Sequence, residues 1–361
     1  MEILLRGRSG KTSEKRLFAI RWLPVLLVLF LPSVVQGRED FEQWLVALRV
    51  EAAAQGISEN TLAAALGDVR PLPRVIELDR RQPESILSTS EYLQRVVTEE
   101  RIAAARERLR ENKMLLGRIG ERYGVPPRLI VALWGIESSF GARSGGFPVI
   151  EALATLAWEG RRSAFFRREL LDALRVIDEG HIAPAQMTGS WAGAMGQFQF
   201  MPSTFRRFAV DYDHNGRKDI WSDPGDAFAS AANYLSKAGW RPGMDWGRRV
   251  RLPAGFDPEI AGLNSRKSLG QWRRLGVENV QGPEKRQASL LLPEGVSGPA
   301  FLVNENFRVL LDWNRSISFA LAVGLLADEL RENGADIPAK ASNRDEGDMV
   351  QNTETSLGVA L

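Results

Sequence analysis

Glu137 is chemically out of place in its surroundings. Val125-Pro126-Pro127 opens the run Arg128-Leu129-Ile130-Val131-Ala132-Leu133-Trp134-Gly135-Ile136-Glu137-Ser138-Ser139-Phe140, and Gly141 closes it. Proline is tolerated in a first helical turn and glycine is a common stop, so the spacing predicts a helix. At about 100° per residue, Glu137 lies roughly 20° around from Ile130, with Trp134 beside them. A lone carboxylate then sits on an apolar stripe. Desolvation disfavours its charged form, and a carboxyl with a raised pKa suits general acid catalysis. The alternative is a buried glutamate satisfied by backbone groups or an arginine.

Two further segments carry residues fit for chemistry. Ser190-Trp191-Ala192-Gly193-Ala194-Met195-Gly196-Gln197-Phe198-Gln199-Phe200-Met201-Pro202-Ser203 packs small residues beside amides and aromatics. Gly193 and Gly196 let backbone approach a ligand, Ser190 and Gln199 offer hydrogen bonds, and Pro202-Ser203 suits the start of the next helix. Aromatic faces beside side-chain amides suit sugars; a tightly packed turn is the alternative. The other segment, Asp211-Tyr212-Asp213-His214-Asn215-Gly216-Arg217-Lys218-Asp219-Ile220-Trp221, begins like an EF-hand loop. Oxygen ligands stand at positions 1, 3 and 5, glycine at 6, the Arg217 carbonyl at 7 and Ile220 at 10. Position 12 is Ser222 rather than glutamate, so Asp223 or Asp226 must close the shell. His214 faces away and is no ligand. A turn without metal is the competing reading.

The elements around these segments are mostly helical. Residues 38–115 read as a helical N-terminal part, with Phe41, Trp44, Leu45 and Leu48 at helical spacing. Tyr92 to Leu116 is rich in Arg and Glu and reads as a solvated helix face. Residues 116–337 form the core. Within it, about 248–305 turns to short apolar runs broken by Gly and Pro, a small β subdomain. Residues 310–330 return to helix. The tail, 338–361, is polar, short of aromatics and expected to be disordered. No internal repeat is visible.

Composition removes whole classes of function. The chain has 361 residues and no cysteine, which excludes disulfides, a thiol nucleophile, cysteine-held metals and a lipid-modified N-terminal cysteine. Two histidines, His181 and His214, rule out a three-histidine zinc site. The net charge of +2 conceals +4 in residues 1–37, so the rest carries no basic domain for nucleic acid. Arg6, Arg8, Lys11, Lys15, Arg16 and Arg21 precede the apolar run Leu23–Leu31 and then Val35-Gln36-Gly37. That is the pattern of a signal peptide, 1–37, cleaved after Gly37, with an uncleaved inner-membrane anchor as the alternative. The expected location is the periplasm.

Glu137-Ser138-Ser139-Phe140-Gly141, followed by Gly193-Ala194-Met195-Gly196-Gln197-Phe198-Gln199-Phe200-Met201-Pro202-Ser203, resembles the lytic murein transglycosylase B family. Further matches are Ile76-Glu77-Leu78-Asp79-Arg80 with Gln82-Pro83, Ala232-Asn233-Tyr234-Leu235 with Gly239-Trp240, Asn306-Phe307-Arg308, and Trp313-Asn314-Arg315-Ser316. The resemblance covers roughly residues 40–337. It implies a mainly α (α+β) fold with a lysozyme-like catalytic core, a helical N-terminal part, an EF-hand-like loop and a small β subdomain. The implied activity is cleavage of the MurNAc–GlcNAc β-1,4 bond of peptidoglycan without water, leaving 1,6-anhydro-MurNAc ends. Glu137 serves as acid and then base. By motif position, Ser190, Gln199, Tyr234 and Asn314 contact the glycan or its N-acetyl group. Asp226 is favoured over Asp223, so that Asp211, Asp213, Asn215 and Asp226 hold one structural Ca2+ that the chemistry does not need. The partner is the peptidoglycan strand, not nucleic acid. Glu151 and Glu159 read as surface or structural groups.

Two positions depart from the family pattern. Trp313 stands where tyrosine is usual before Asn314, and Phe319 where a further tyrosine is common, so a lost hydroxyl is expected to weaken positioning near the site. Two rival functions remain: a hydrolytic muramidase, which needs a second carboxylate to activate water, and a peptidoglycan-binding protein without catalysis.

Overall fold

Many of the helices begin at a Ser, Thr, Asn, Asp or Pro. In the computed structural model, which describes residues 40–81, 87–159 and 162–331, the N-terminal part forms α1 (Phe41–Ala54), α2 (Glu59–Leu66), α3 (Pro73–Arg80), α4 (Thr89–Val96) and α5 (Glu99–Glu111). Ser58 and Thr98 cap α2 and α5, and Ser88 forms a reciprocal capping box with Glu91 on α4. The charged stretch from Tyr92 to Leu116 is therefore not one helix. Thr98 draws backbone N–H bonds to its side chain, and Asn112 separates α5 from α6 (Lys113–Tyr123). The leader 1–37, the Gln82-Pro83 pair and the tail 338–361 lie outside the described residues.

At the centre is α7 (Pro127–Ser138), with proline in its first turn and Leu129 through Gly135 all buried. A hydrophobic α14 (Ile317–Glu329) packs on it, as expected of a helix apolar on every side. Between them in sequence lie the two-residue strand β1 (Phe147–Pro148), then α8 (Val149–Glu159) and α9 (Ser163–Asp178), which pack on each other. Strand β2 (Thr188–Gly189) follows and pairs antiparallel with β1. Then come α10 (Pro202–Phe208), α11 (Pro224–Lys237) and α13 (Glu305–Trp313), with the β subdomain inserted between the last two. The main buried core runs from Phe41 to Leu330, so the N-terminal helices share it with the rest, and residue 115 falls inside α6. No single helix among the described residues is long and apolar enough to cross a membrane.

The subdomain is an antiparallel sheet in the order β3 (Gly247–Val250), β6 (Ala300–Val303), β5 (Gln287–Leu291), β4 (Arg266–Ser268), with helix α12 (Leu269–Arg274) following β4. Strand residues alternate faces. Phe301, Val303 and Leu291 therefore join the main core, while Ala300, Leu302 and Leu290 meet Trp272 in a second, smaller one. The sheet is thus fastened to the helical body through one face. Glu294 adds a second tie, accepting from the backbone N–H and the hydroxyl of Ser90 at 2.7 and 2.5 Å.

Candidate active site

Glu137 lies in the last turn of α7, half-buried, and the backbone after it reverses at once. Ser139, Phe140 and Gly141 all take positive φ (50°, 60° and 85°), a left-handed run that non-glycine residues rarely adopt. Ser138 holds this turn from inside. Its buried hydroxyl donates to the Gln197 carbonyl at 2.6 Å and accepts from the Gly141 N–H at 2.9 Å. The end of α7 is thereby fastened to the glycine-rich segment, which lies far away in sequence.

That segment can come so close only because it lacks side chains. A Cβ on Gly196 would stand 2.6 Å from the Ile220 carbonyl oxygen, and one on Gly193 would stand 2.4 Å from Leu153. Gly145, at φ 95°, passes so near Gly189 that a Cβ would meet its carbonyl oxygen at 2.1 Å. Gln199, itself at φ 52°, braces the arrangement: its amide nitrogen donates to the carbonyls of Ser144 and Gly196, each at 2.9 Å.

Burial pushes the Glu137 carboxyl up to about 7, against one opposing influence, a hydrogen bond from the Trp313 indole N–H to Oε1 at 2.6 Å. No second carboxylate among the described residues perturbs it. The tryptophan in place of tyrosine is therefore not the loss of a donor, since the indole supplies the hydrogen bond. Phe319 is buried in the core on α14 and makes no comparable contact. Glu159 is paired with Arg80, and Glu151 sits half-buried in the first turn of α8; neither bears on Glu137.

Of the remaining motif residues, Tyr234 touches Trp313 and Asn314 follows it in the chain. Tyr234 packs edge-on against Trp313 at 4.7 Å, and its hydroxyl donates to the Asp312 carbonyl at 2.8 Å, so it braces the end of α13. Asn314 follows α13, and its Oδ1 accepts from the Ser316 N–H at 3.0 Å. The hydroxyl of Ser190 accepts from the Ala194 N–H at 3.0 Å. Sequence reasoning missed Tyr92 of α4, whose phenol is raised by burial and then by the charge of Glu137. No local motif marks Tyr92; only the packing of the N-terminal helices brings it into electrostatic range.

The EF-hand-like loop brings three carboxylates together. Carboxylate oxygens of Asp211, Asp213 and Asp226 lie within 4.8 Å of one another. Asp226 is fully buried and accepts from the N–H groups of Tyr212 and Asp219, both at 2.7 Å. Burial, then the neighbouring Asp223 and Asp213, push its pKa up. Asp223 instead caps α11, accepting from the Asp226 N–H at 2.9 Å. Asn215 joins the loop by accepting from the Arg217 N–H at 2.9 Å and donating to Asp213 at 2.9 Å. An all-oxygen set with three carboxylates fits a hard divalent cation such as Ca2+.

Comparison with known proteins places this geometry. Residues 40–328 match the family described as Transglycosylase SLT domain. The membrane-bound lytic murein transglycosylase B of Escherichia coli is 36% identical over 216 residues, 58% of this chain and 58% of that protein's length. The crystal structure of SltB3 from Pseudomonas aeruginosa, in complex with NAG-anhNAM-pentapeptide, is 48% identical. It superposes with a TM-score of 0.79 over 81% of this chain and 80% of that one. The Escherichia coli lytic transglycosylase Slt35, solved in complex with calcium, is 29% identical, with a TM-score of 0.68 over 81% of this chain and 93% of that one. A match over most of the described residues, with relatives of this kind, shows that the chain belongs to the Transglycosylase SLT domain family, within its lytic murein transglycosylase B group.

Proposed function

We propose that this protein is a lytic transglycosylase that cleaves the MurNAc–GlcNAc β-1,4 bond of peptidoglycan and leaves 1,6-anhydro-MurNAc ends. The observation that carries the reading is a single carboxyl raised to about 7 at the end of an apolar helix, with no second acid beside it among the described residues. Near neutral pH such a group is partly protonated, so it can give its proton to the leaving glycosidic oxygen. It is then the carboxylate that takes a proton from the C6 hydroxyl as O6 attacks C1. Glycosidases that use water or a covalent intermediate need two carboxylates within about 10 Å. The family membership and the anhydro-sugar fragment held by SltB3 support the same reaction.

Hydrogen bonding already spent inside the protein sets which groups remain for the glycan. Ser190 Oγ and Asn314 Oδ1 both accept from backbone N–H groups, leaving the serine O–H and the asparagine amide N–H to donate. Gln199 and Tyr234 have used their donors and offer oxygens that accept. Together they match the N–H and C=O of an N-acetyl group. Asp211, Asp213, Asn215 and Asp226 would hold one Ca2+, which would supply no chemistry but would pin the loop preceding α11. The leader in 1–37 and the substrate support a periplasmic location.

Mass spectrometry of material released from purified sacculi tests the reaction. Products lighter by one water, ending in 1,6-anhydro-MurNAc, are expected, and Glu137→Gln is expected to abolish release in a folded protein. Reducing ends would make the protein a hydrolase. No release from folded wild type would leave a binding protein.

A further inference from the structure

We propose that Trp313 is the positioning residue of this site, holding Oε1 of Glu137 with its indole N–H so that Oε2 alone carries the proton in both halves of the reaction. The inference rests on the single-carboxylate reading above and assigns the two oxygens of that carboxylate different tasks.

Three observations carry it. The first is the contact itself, a 2.6 Å bond from the neutral indole N–H to a carboxyl oxygen. The second is the chemistry of the donor. An indole N–H donates, never accepts and does not ionise near neutrality. It can neither take a proton from Glu137 nor point a lone pair at it. The carbonyl oxygen of a protonated carboxyl is the better acceptor, so the indole bond to Oε1 favours the hydrogen on Oε2. Oε2 accepts no hydrogen bond among the described residues and is free to meet a substrate. The third is rigidity. The ring of Trp313 is walled in by Tyr234 at 4.7 Å, Phe200 at 5.4 Å and Phe198 at 6.3 Å, from α11 and the glycine-rich segment. The Tyr234 hydroxyl also ties down the Asp312 carbonyl next to it. The N–H direction is thus set by groups outside α13.

The two steps then balance on one atom. The Oε2–H proton passes to the glycosidic oxygen as the C1–O bond breaks, leaving a carboxylate still bonded to the indole through Oε1. Oε2 next accepts the proton of the C6 hydroxyl while O6 bonds to C1. Glu137 ends as it began, and no water is consumed. The indole bond stabilises the carboxylate between the steps, so it also works against burial, which favours the protonated form.

The test compares wild type with Trp313→Phe, Trp313→Tyr and a protein carrying benzothienylalanine at 313, which swaps N–H for sulfur at nearly constant shape. The last variant guards against misfolding of the phenylalanine variant. Two readouts are made: infrared titration of the Glu137 carboxyl in resting protein, and the pH dependence of anhydro-muropeptide release. Loss of the N–H is expected to raise the Glu137 pKa and move the alkaline limb up by about one pH unit. Turnover is expected to fall about 10- to 100-fold, with KM changed by less than about two-fold. Trp313→Tyr, which keeps a donor, is expected to recover much of both. A folded variant without the N–H whose carboxyl titration and alkaline limb stay in place overturns the assignment, however much activity it loses. A wild type that releases no anhydro ends overturns the proposed function instead, and the carboxyl titration still decides the role of Trp313.

Discussion

Holding a carboxyl at about 7 costs native stability at every pH where it must ionise. Glu137 rises from 4.5 to about 7 on folding, so the native state binds its proton more tightly than the unfolded chain does. The stabilisation this brings is fully present below the unfolded pKa and is lost as pH rises through the folded pKa. Glu137→Gln keeps an oxygen for the Trp313 N–H and has no charge to bury. The variant is therefore expected to unfold with about the same midpoint as wild type at pH 4. At pH 8 it should be more stable by roughly 2–3 kcal/mol. Denaturant unfolding at the two pH values checks this, and an equal gain at both would mean that Glu137 is not desolvated. The same titration sets the activity profile, with release of product falling as pH climbs past about 7. The raised carboxyl was legible in the sequence because one carboxylate interrupts an apolar stripe. Its donor was not. Trp313 reads only as a tyrosine hydroxyl lost near the site, and nothing local says that its indole N–H meets the end of α7.

At the scale of elements, the site depends on a helix end and a glycine-rich segment held at contact distance. Ser138 bridges them, and Gly145 and Gly189 pass backbone against backbone. Gly145→Ala would place a methyl carbon 2.1 Å from a carbonyl oxygen at φ 95°, a clash with backbone that a side-chain rotation cannot relieve. A loss of about 3 kcal/mol or more is expected, together with loss of turnover, because the turn after Glu137 must move. Thermal melts and activity of the purified variant read both effects, and wild-type stability would show that the loop yields freely. The sequence announced that Gly193 and Gly196 allow close approach. What approaches them, Leu153 and Ile220, follows from the packing of α8 and the metal-type loop. Likewise, Gln199 and Tyr234 carried family positions that pointed to substrate, and the fold also spends their donors on bracing backbone.

For the whole molecule, the EF-hand-like loop lies just ahead of α11, which carries Tyr234 and so supports Trp313. Calcium held by Asp211, Asp213, Asn215 and Asp226 would relieve repulsion around a buried carboxylate and stabilise the native state by mass action. The melting temperature is expected to rise in millimolar calcium over EGTA, and Asp226→Asn to abolish the rise; an unchanged wild-type midpoint would remove the metal. The N-terminal helices also bear on Glu137, since the shared core brings Tyr92 into electrostatic range of it. By itself, the sequence determined the lone carboxylate of Glu137, the helix that presents it, the glycine-rich partner, the loop spacing and the small β subdomain. Each is written in short-range periodicity, caps and turn residues that act within one or two turns of chain. Only the tertiary structure decided how the charged stretch divides into three helices around Thr98 and Asn112, which aromatic donates to Glu137, and that Tyr92 of α4 lies in its electrostatic range. Those outcomes depend on which buried faces meet, and side chains far apart in sequence settle that through close packing and desolvation rather than through any local pattern.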